Sequence, residues 1–271
     1  MINFIFIQII LFFSIPNTWA GISPEERVKN FDIRSYAPQK QGMKDLSVVV
    51  RINGLQEMLN KAGNLGKINN LYFTLHWSFP DKVKIVANGL SPKMHELQAA
   101  LSAQIFSQIS LIIPQDLEKT LKGMKVKIDK DSEDENTIVA FDETGKMANN
   151  QINIFFDKLG VLASMQSFGM MGTEKSNYDY KVFPWSNNKY ALSTLSVERP
   201  INGGSLKSTT NINYFNKDGY GVPEKIIIAT ESVSSTKTSK LNQVELIFSN
   251  YRINTGEASK EILKGNIGNN E

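Results

Sequence analysis

Cysteine is absent from this 271-residue chain, and that absence alone excludes disulfides, thiolate metal sites, cysteine nucleophiles and cysteine-borne lipid anchors. Histidine is nearly absent as well. His76 and His95 are the two in the sequence, and neither stands at a spacing that metal ligation or general-base chemistry uses. There is no Gly-x-Ser-x-Gly elbow, no phosphate-binding glycine loop and no His-Glu-x-x-His. A strong charge of either sign is also missing: 30 basic residues face 27 acidic ones, a net +3, too weak a field to select nucleic acid. These gaps leave no catalytic residue, metal or cofactor to assign, and they direct attention to a partner recognised through shape and apolar surface.

Charge is withheld altogether from the first twenty residues. Ile2 to Ile15 is apolar apart from Asn3, Gln8 and Ser14, too short to span a bilayer, and Thr18 and Ala20 are small residues at the places a signal peptidase reads. The segment is expected to be a secretory signal cut after Ala20, which places the product in the periplasm; with no Lys or Arg ahead of the apolar run, an uncleaved anchor is the alternative. The remainder of the chain, roughly 250 residues, is long enough to hold itself by a core without disulfides.

Residues 21–45 are polar and carry Pro24, Pro38 and Gly42, which predicts an N-terminal arm with little core. Leu46 to Asn53 suits a strand and Leu55 to Ala62 a short helix, broken by Gly63 to Gly66. The cleanest pattern begins at Leu71: Leu71, Phe73, Leu75, Trp77 and Phe79 alternate with Tyr72, Thr74, His76 and Ser78, a strand with one apolar face. Its return begins at Val83 and Ile85. Ser91-Pro92 then opens a helix with Met94, Leu97, Leu101, Ile105 and Ile109 on one stripe, and a second helix through Leu117 and Leu121 ends at Gly123, so 91–123 is a helical insert between strands. Beyond it come strands at Thr137 to Phe141, Gln151 to Asp157, Leu159 to Ser164, Tyr190 to Glu198 and Lys207 to Phe215, joined by hairpin-length connections. Tyr220 to Asn254 reads as a strand, a long polar loop and a second strand. In that second strand Val244, Leu246 and Phe248 share a face, and Tyr251 comes next at a spacing of three, which predicts a bulge near Asn250. Residues 257–271 are expected to be a polar tail.

Three lesser features invite chemistry. The acidic run Asp129, Asp131, Glu133, Asp134 and Glu135 offers hard oxygens but lacks the glycine and trailing Glu of a calcium loop, which leaves a solvated loop as the simpler reading. Asp179 and Glu198 are carboxylates of the residue type glycosidases use, but any β protein supplies such pairs and their spacing in sequence says nothing of their separation. Met165, Phe168, Met170 and Met171, with Gly169 and Gly172, make a pliable apolar segment that suits either a core edge or a pocket wall.

The segment Gly221-Val222-Pro223-Glu224-Lys225-Ile226, with the late strand Val244-Glu245-Leu246-Ile247-Phe248-Ser249-Asn250-Tyr251-Arg252-Ile253-Asn254, resembles the closing strands of the LolA/LolB-like lipoprotein carriers. The order of elements over 46–256 is similar too. The resemblance implies an incomplete antiparallel barrel whose concave face, lidded by helices, shields the acyl chains of lipoproteins in transit to the outer membrane. The arginine that precedes a proline in those carriers and helps to hold the lid has no counterpart here, where Phe79-Pro80 stands in its place.

The sequence therefore predicts a mainly β (α+β) fold: a curved antiparallel sheet forming an incomplete barrel over 46–256, with helices on the concave face. The function it predicts is non-catalytic binding of lipid or lipoprotein acyl chains, lined by Leu71, Phe73, Leu75 and Trp77 with Met94, Leu97 and Leu101 opposite. A cell-envelope interaction module with a filled core is the alternative, and a hydrolase built on a carboxylate pair comes third.

Overall fold

The alternation on Leu71 to Trp77 lies in a strand near one edge of a single twelve-stranded sheet. The computed structural model describes residues 21–62, 67–129, 137–170, 172–234 and 238–267. The predicted signal, the Gly63 to Gly66 break, Met171 and the acidic run beyond Asp129 lie outside the described residues. The strands are β1 Asp45–Ile52, β2 Tyr72–Ser78, β3 Lys82–Asn88, β4 Lys125–Ile128, β5 Thr137–Phe141, β6 Asn149–Phe156, β7 Leu162–Gly169, β8 Gly172–Val182, β9 Tyr190–Ile201, β10 Gly204–Lys217, β11 Tyr220–Ser234 and β12 Thr238–Ile253. All pair antiparallel in the order β3-β2-β1-β12-β11-β10-β9-β8-β7-β6-β5-β4. The two edges, β3 and β4, do not pair with each other, so the sheet is an incomplete barrel of the predicted class.

The helices divide between the two faces of the sheet. On the inner face lie α1 Pro24–Arg34, α3 His95–Phe106, α4 Ile109–Ile112 and α5 Leu117–Thr120, the last three carrying the chain from edge β3 to edge β4. A short helix, α2 Leu55–Lys61, comes after β1, and α6 Glu257–Ile267 covers the outer face of β1–β3. Two apolar clusters form on the inner side. One joins Leu46, Val48, Val50, Phe73, Leu75 and Trp77 to Leu101, Ile105 and Leu111, and the other joins Val28, Phe31, Leu117 and Leu121 to Ile138, Ile152, Ile154 and Phe156.

The structure corrects the sequence reading at both ends of the chain. Residues 24–34, expected as a polar arm, form α1 because Ser23 caps it by accepting from the Glu26 N–H and Pro24 occupies the first turn, where a missing N–H costs nothing. Val28 and Phe31 from this helix are buried in the second cluster. The expected polar tail instead holds α6, whose Ala258 and Ile262 pack inward while Glu257, Lys260 and Lys264 lie on its polar side. The long polar loop expected between the last two strands is instead strand up to Ser234 and from Thr238 onward. Two strands, β4 and β8, have no counterpart among the elements the sequence predicts.

The bulge near Asn250 is present. Ser47 faces Arg252 while Val49 faces Ser249, so Asn250 and Tyr251 together oppose Val48, and Asn250 takes the left-handed conformation at φ 54°. Pro223 lies beside a second register shift, which spares a ladder donor that proline lacks. Gly221 is required for packing: a Cβ there would stand 2.0 Å from the Trp185 ring. Its N–H donates to the Tyr36 hydroxyl at 2.7 Å, and burial pushes that phenol up to about 12.

Candidate functional site

The predicted ligand-lining residues are brought together as a closed core. Phe73 and Leu75 are 0 % exposed and Trp77 2 %, with Leu71 and Leu101 also buried in the same cluster. Leu97 packs half-buried against them, and half-buried Met94 sits on a single 3-10 turn outside the cluster. Alternation places these side chains on one face but is silent on what covers it. Here Phe73 and Trp77 are buried in one cluster with Leu101 and Ile105, where the seam was expected to admit acyl chains.

The hollow lies further round the sheet, between the two clusters. A crevice of about 310 Å³ opens under α1 and the α4–α5 connection, over β7–β9. Leu111, Leu192 and Leu195 line it from one side, and Phe31, Leu117, Leu162, Met165, Tyr178 and Tyr180 from the other. Two bulges shape its floor. In β7, Leu162 faces Phe156 and Ser164 faces Phe155, so Ala163 is the extra residue, and Leu162 and Met165 both face the crevice. In β9, Leu192 faces Tyr180 and Thr194 faces Asp179, so Ser193 is extra, and Leu192 and Leu195 both line the crevice. The sequence signal for both is the spacing of three that marks Phe248 and Tyr251. Of these residues the sequence reading singles out only Met165, as a possible pocket wall.

The far wall is clamped by one carboxylate. Asp32 accepts from the backbone N–H groups of Leu117 at 2.7 Å and Glu118 at 2.9 Å, tying α1 to the start of α5. Burial pushes this carboxyl up, and those two donors work against the push. The tyrosine hydroxyls on the crevice are neutral. Tyr178 donates to the Met165 sulfur at 3.5 Å, Tyr180 meets Phe31 edge-on at 5.8 Å, and burial raises both phenols, so they stay protonated. At the rim, Arg34 donates to the Tyr190 hydroxyl at 3.1 Å and lies over its ring. A wider groove of about 470 Å³ on the other side of α5 is rimmed by Glu25, Asp116, Glu118, Lys119 and Lys122. Mixed charge of that kind suits solvent, whereas the crevice carries one charged residue, Asp32, already paired with backbone donors.

Elsewhere the polar residues offer geometry without access. Ser47 and His76 share a hydrogen bond of 2.8 Å on the outer face, both buried and covered by α6. Asp179 faces Thr194 across the β8–β9 ladder, and Glu198 stands four residues further along β9. At roughly 3.3 Å per residue, that separation exceeds the carboxylate spacing of glycosidases.

No family model and no curated protein matches the chain. Among solved structures, a LolA superfamily protein from Nitrosomonas europaea is similar at 9% identity over 85% of this chain and 93% of that one, with a TM-score of 0.28. A porin-like protein from Bacteroides uniformis is similar at 7% identity over 76% and 97%, with a TM-score of 0.19. Likeness at this level carries no residue role across.

Proposed function

We propose that this protein is a non-catalytic periplasmic binder of an apolar chain, the acyl part of a lipid or lipid-anchored partner, held in the crevice between its two core clusters. The single observation behind this reading is the break between those clusters: a hollow of about 310 Å³ walled by leucine, methionine, phenylalanine and tyrosine. That volume stands at the lower end of ligand sites, about 300–1,000 Å³. Burial of the chain supplies the affinity, about 25 cal/mol for each Å² removed from water. The Asp32 clamp holds the wall through α5, a helix of four residues, so the wall is the element that gives way when a longer chain enters. Handover of lipoproteins to the outer membrane is the finer version of this proposal. The filled seam at Phe73 and Trp77 favours a second reading, an envelope interaction module that holds no ligand.

Titration of delipidated protein with a fluorescent fatty-acyl probe separates the two. Saturable binding is expected, lost in Leu195→Glu and Met165→Glu. Phe73→Ala is expected to cost about 3–5 kcal/mol of stability while the folded fraction keeps its affinity. Wild-type protein that binds no acyl probe, and carries no lipid by native mass spectrometry when taken from its own envelope, sinks the first reading.

A further inference from the structure

The sheet has two free edges, β3 and β4, and hydrogen-bond parity shows what each presents. An antiparallel strand turns the backbone groups of successive residues alternately to one neighbour and to the other. The Phe79 N–H donates to the Lys44 carbonyl at 2.9 Å, in the register that sets Asp45 opposite Ser78. Odd-numbered residues of β2 therefore turn to β1 and even-numbered ones to β3, where Ser78 faces Lys82 and His76 faces Lys84. This leaves the N–H and C=O groups of Val83, Ile85 and Ala87 directed away from β2, and among the described residues no strand lies beyond them. Their side chains pack half-buried against the first cluster. A free edge of seven residues with its apolar side chains in place is a template for another strand.

We propose that β3 pairs antiparallel with β3 of a second copy of this chain, about a two-fold axis at Ile85, joining two sheets into one. Overlap of all seven residues fixes that register: across the axis Ile85 meets Ile85, Val83 meets Ala87, Lys84 meets Val86 and Lys82 meets Asn88. The free backbone groups match, because Val83, Ile85 and Ala87 pair among themselves and each such pair exchanges two hydrogen bonds. The side chains match as well. Apolar residues meet on the inner face, and on the outer face no lysine stands opposite a lysine, whereas moving the axis to Lys84 sets Lys84 directly against itself. Lys84 is also turned back to its own chain, donating to the Glu261 carbonyl of α6 at 2.6 Å. Such self-complementarity is what an isologous dimer requires. β4 lacks it. Asp129 donates to the Thr137 carbonyl, so Val126 and Ile128 turn outward in this four-residue strand, and every register that overlaps three of its residues sets a lysine opposite a lysine.

Sedimentation equilibrium of the purified full chain, from about 1 to 100 μM, tests this, and a reversible dimer is expected. Ala87→Pro removes a donor that only the dimer uses, and is expected to leave a folded monomer. Val86 stands opposite Lys84 across the axis, so Val86→Lys is expected to loosen the dimer and Val86→Glu to tighten it, each about tenfold because the pair occurs twice. If Ala87→Pro does not fold, opposite shifts in the two Val86 variants still support the register. A wild type that stays monomeric across the range overturns the proposal and leaves the edge to solvent or to a strand of another protein. A dimer that none of the three substitutions alters, or that both Val86 variants weaken equally, overturns it too.

Discussion

His76 shows how far single residues can be read and where reading stops. Alternation places it away from the apolar face of its strand, and the structure agrees: it pairs with Ser47 on the outer side. Its burial is hidden from the sequence because the cover, α6, contributes few apolar residues from a stretch that reads as polar. Burial holds the imidazole below its ordinary value and Lys84 adds to this, while Glu261, Glu257 and Asp45 pull the other way. The unfolded chain therefore takes up the proton first, so this contribution to stability is full above a pH of about 6.5 and is lost as pH falls through that region. Urea unfolding at about pH 7.5 and pH 5.5 is expected to show a larger loss for wild type than for His76→Gln. Equal losses refute the assignment. The residues predicted to line a ligand site meet the same limit as His76, since a strand's period reports the side a residue faces and not the group it meets there. Phe73 is placed on the right face, and that face is already filled.

At the level of elements, breaks in strand phase are the most informative signals. The slip from Phe248 to Tyr251 locates the bulge at Asn250, whose φ of 54° suits asparagine and penalises a branched side chain. Asn250→Val is expected to cost about 1–2 kcal/mol and Asn250→Gly far less in equilibrium unfolding; equal costs argue that the strand does not need the left-handed residue. The same slip at Leu162–Met165 and Leu192–Leu195 shapes the crevice and is equally visible in the sequence. β8 escapes a sequence reading because Glu174, Lys175 and Lys181 dilute its alternation, although Ser176, Tyr178 and Tyr180 keep the period of two. α1 escapes it because Ser23-Pro24 reads as a breaker within a polar stretch, while the same pair at Ser91-Pro92 reads as a start ahead of an apolar stripe. Local chemistry is identical in the two cases, and only packing against Phe156 and Tyr180 shows that Phe31 belongs to a helix with a core to cover.

For the whole molecule, the run of strands and the placement of helices 91–123 across the open side are legible, because each hairpin joins neighbours in sequence. The partnership of β1 with β12 is not, since no local pattern announces a contact between Leu46 and Ile253. That pairing also governs how the chain reaches its fold. Three strands made early must wait for the last strand made, and loop-closure entropy over so long a span slows assembly. A circular permutant that opens after Asn88, with the old ends joined by a flexible linker, turns the sheet into an unbroken sequence of neighbours from β4 through β12 to β3. Such a chain is expected to refold faster than the natural one at similar stability. If stopped-flow refolding shows equal rates, closure of the β1–β12 ladder is not the slow step. A faster permutant identifies that ladder as the clasp that shuts last, leaving the Val48–Val50 edge open to other strands until Ile253 arrives.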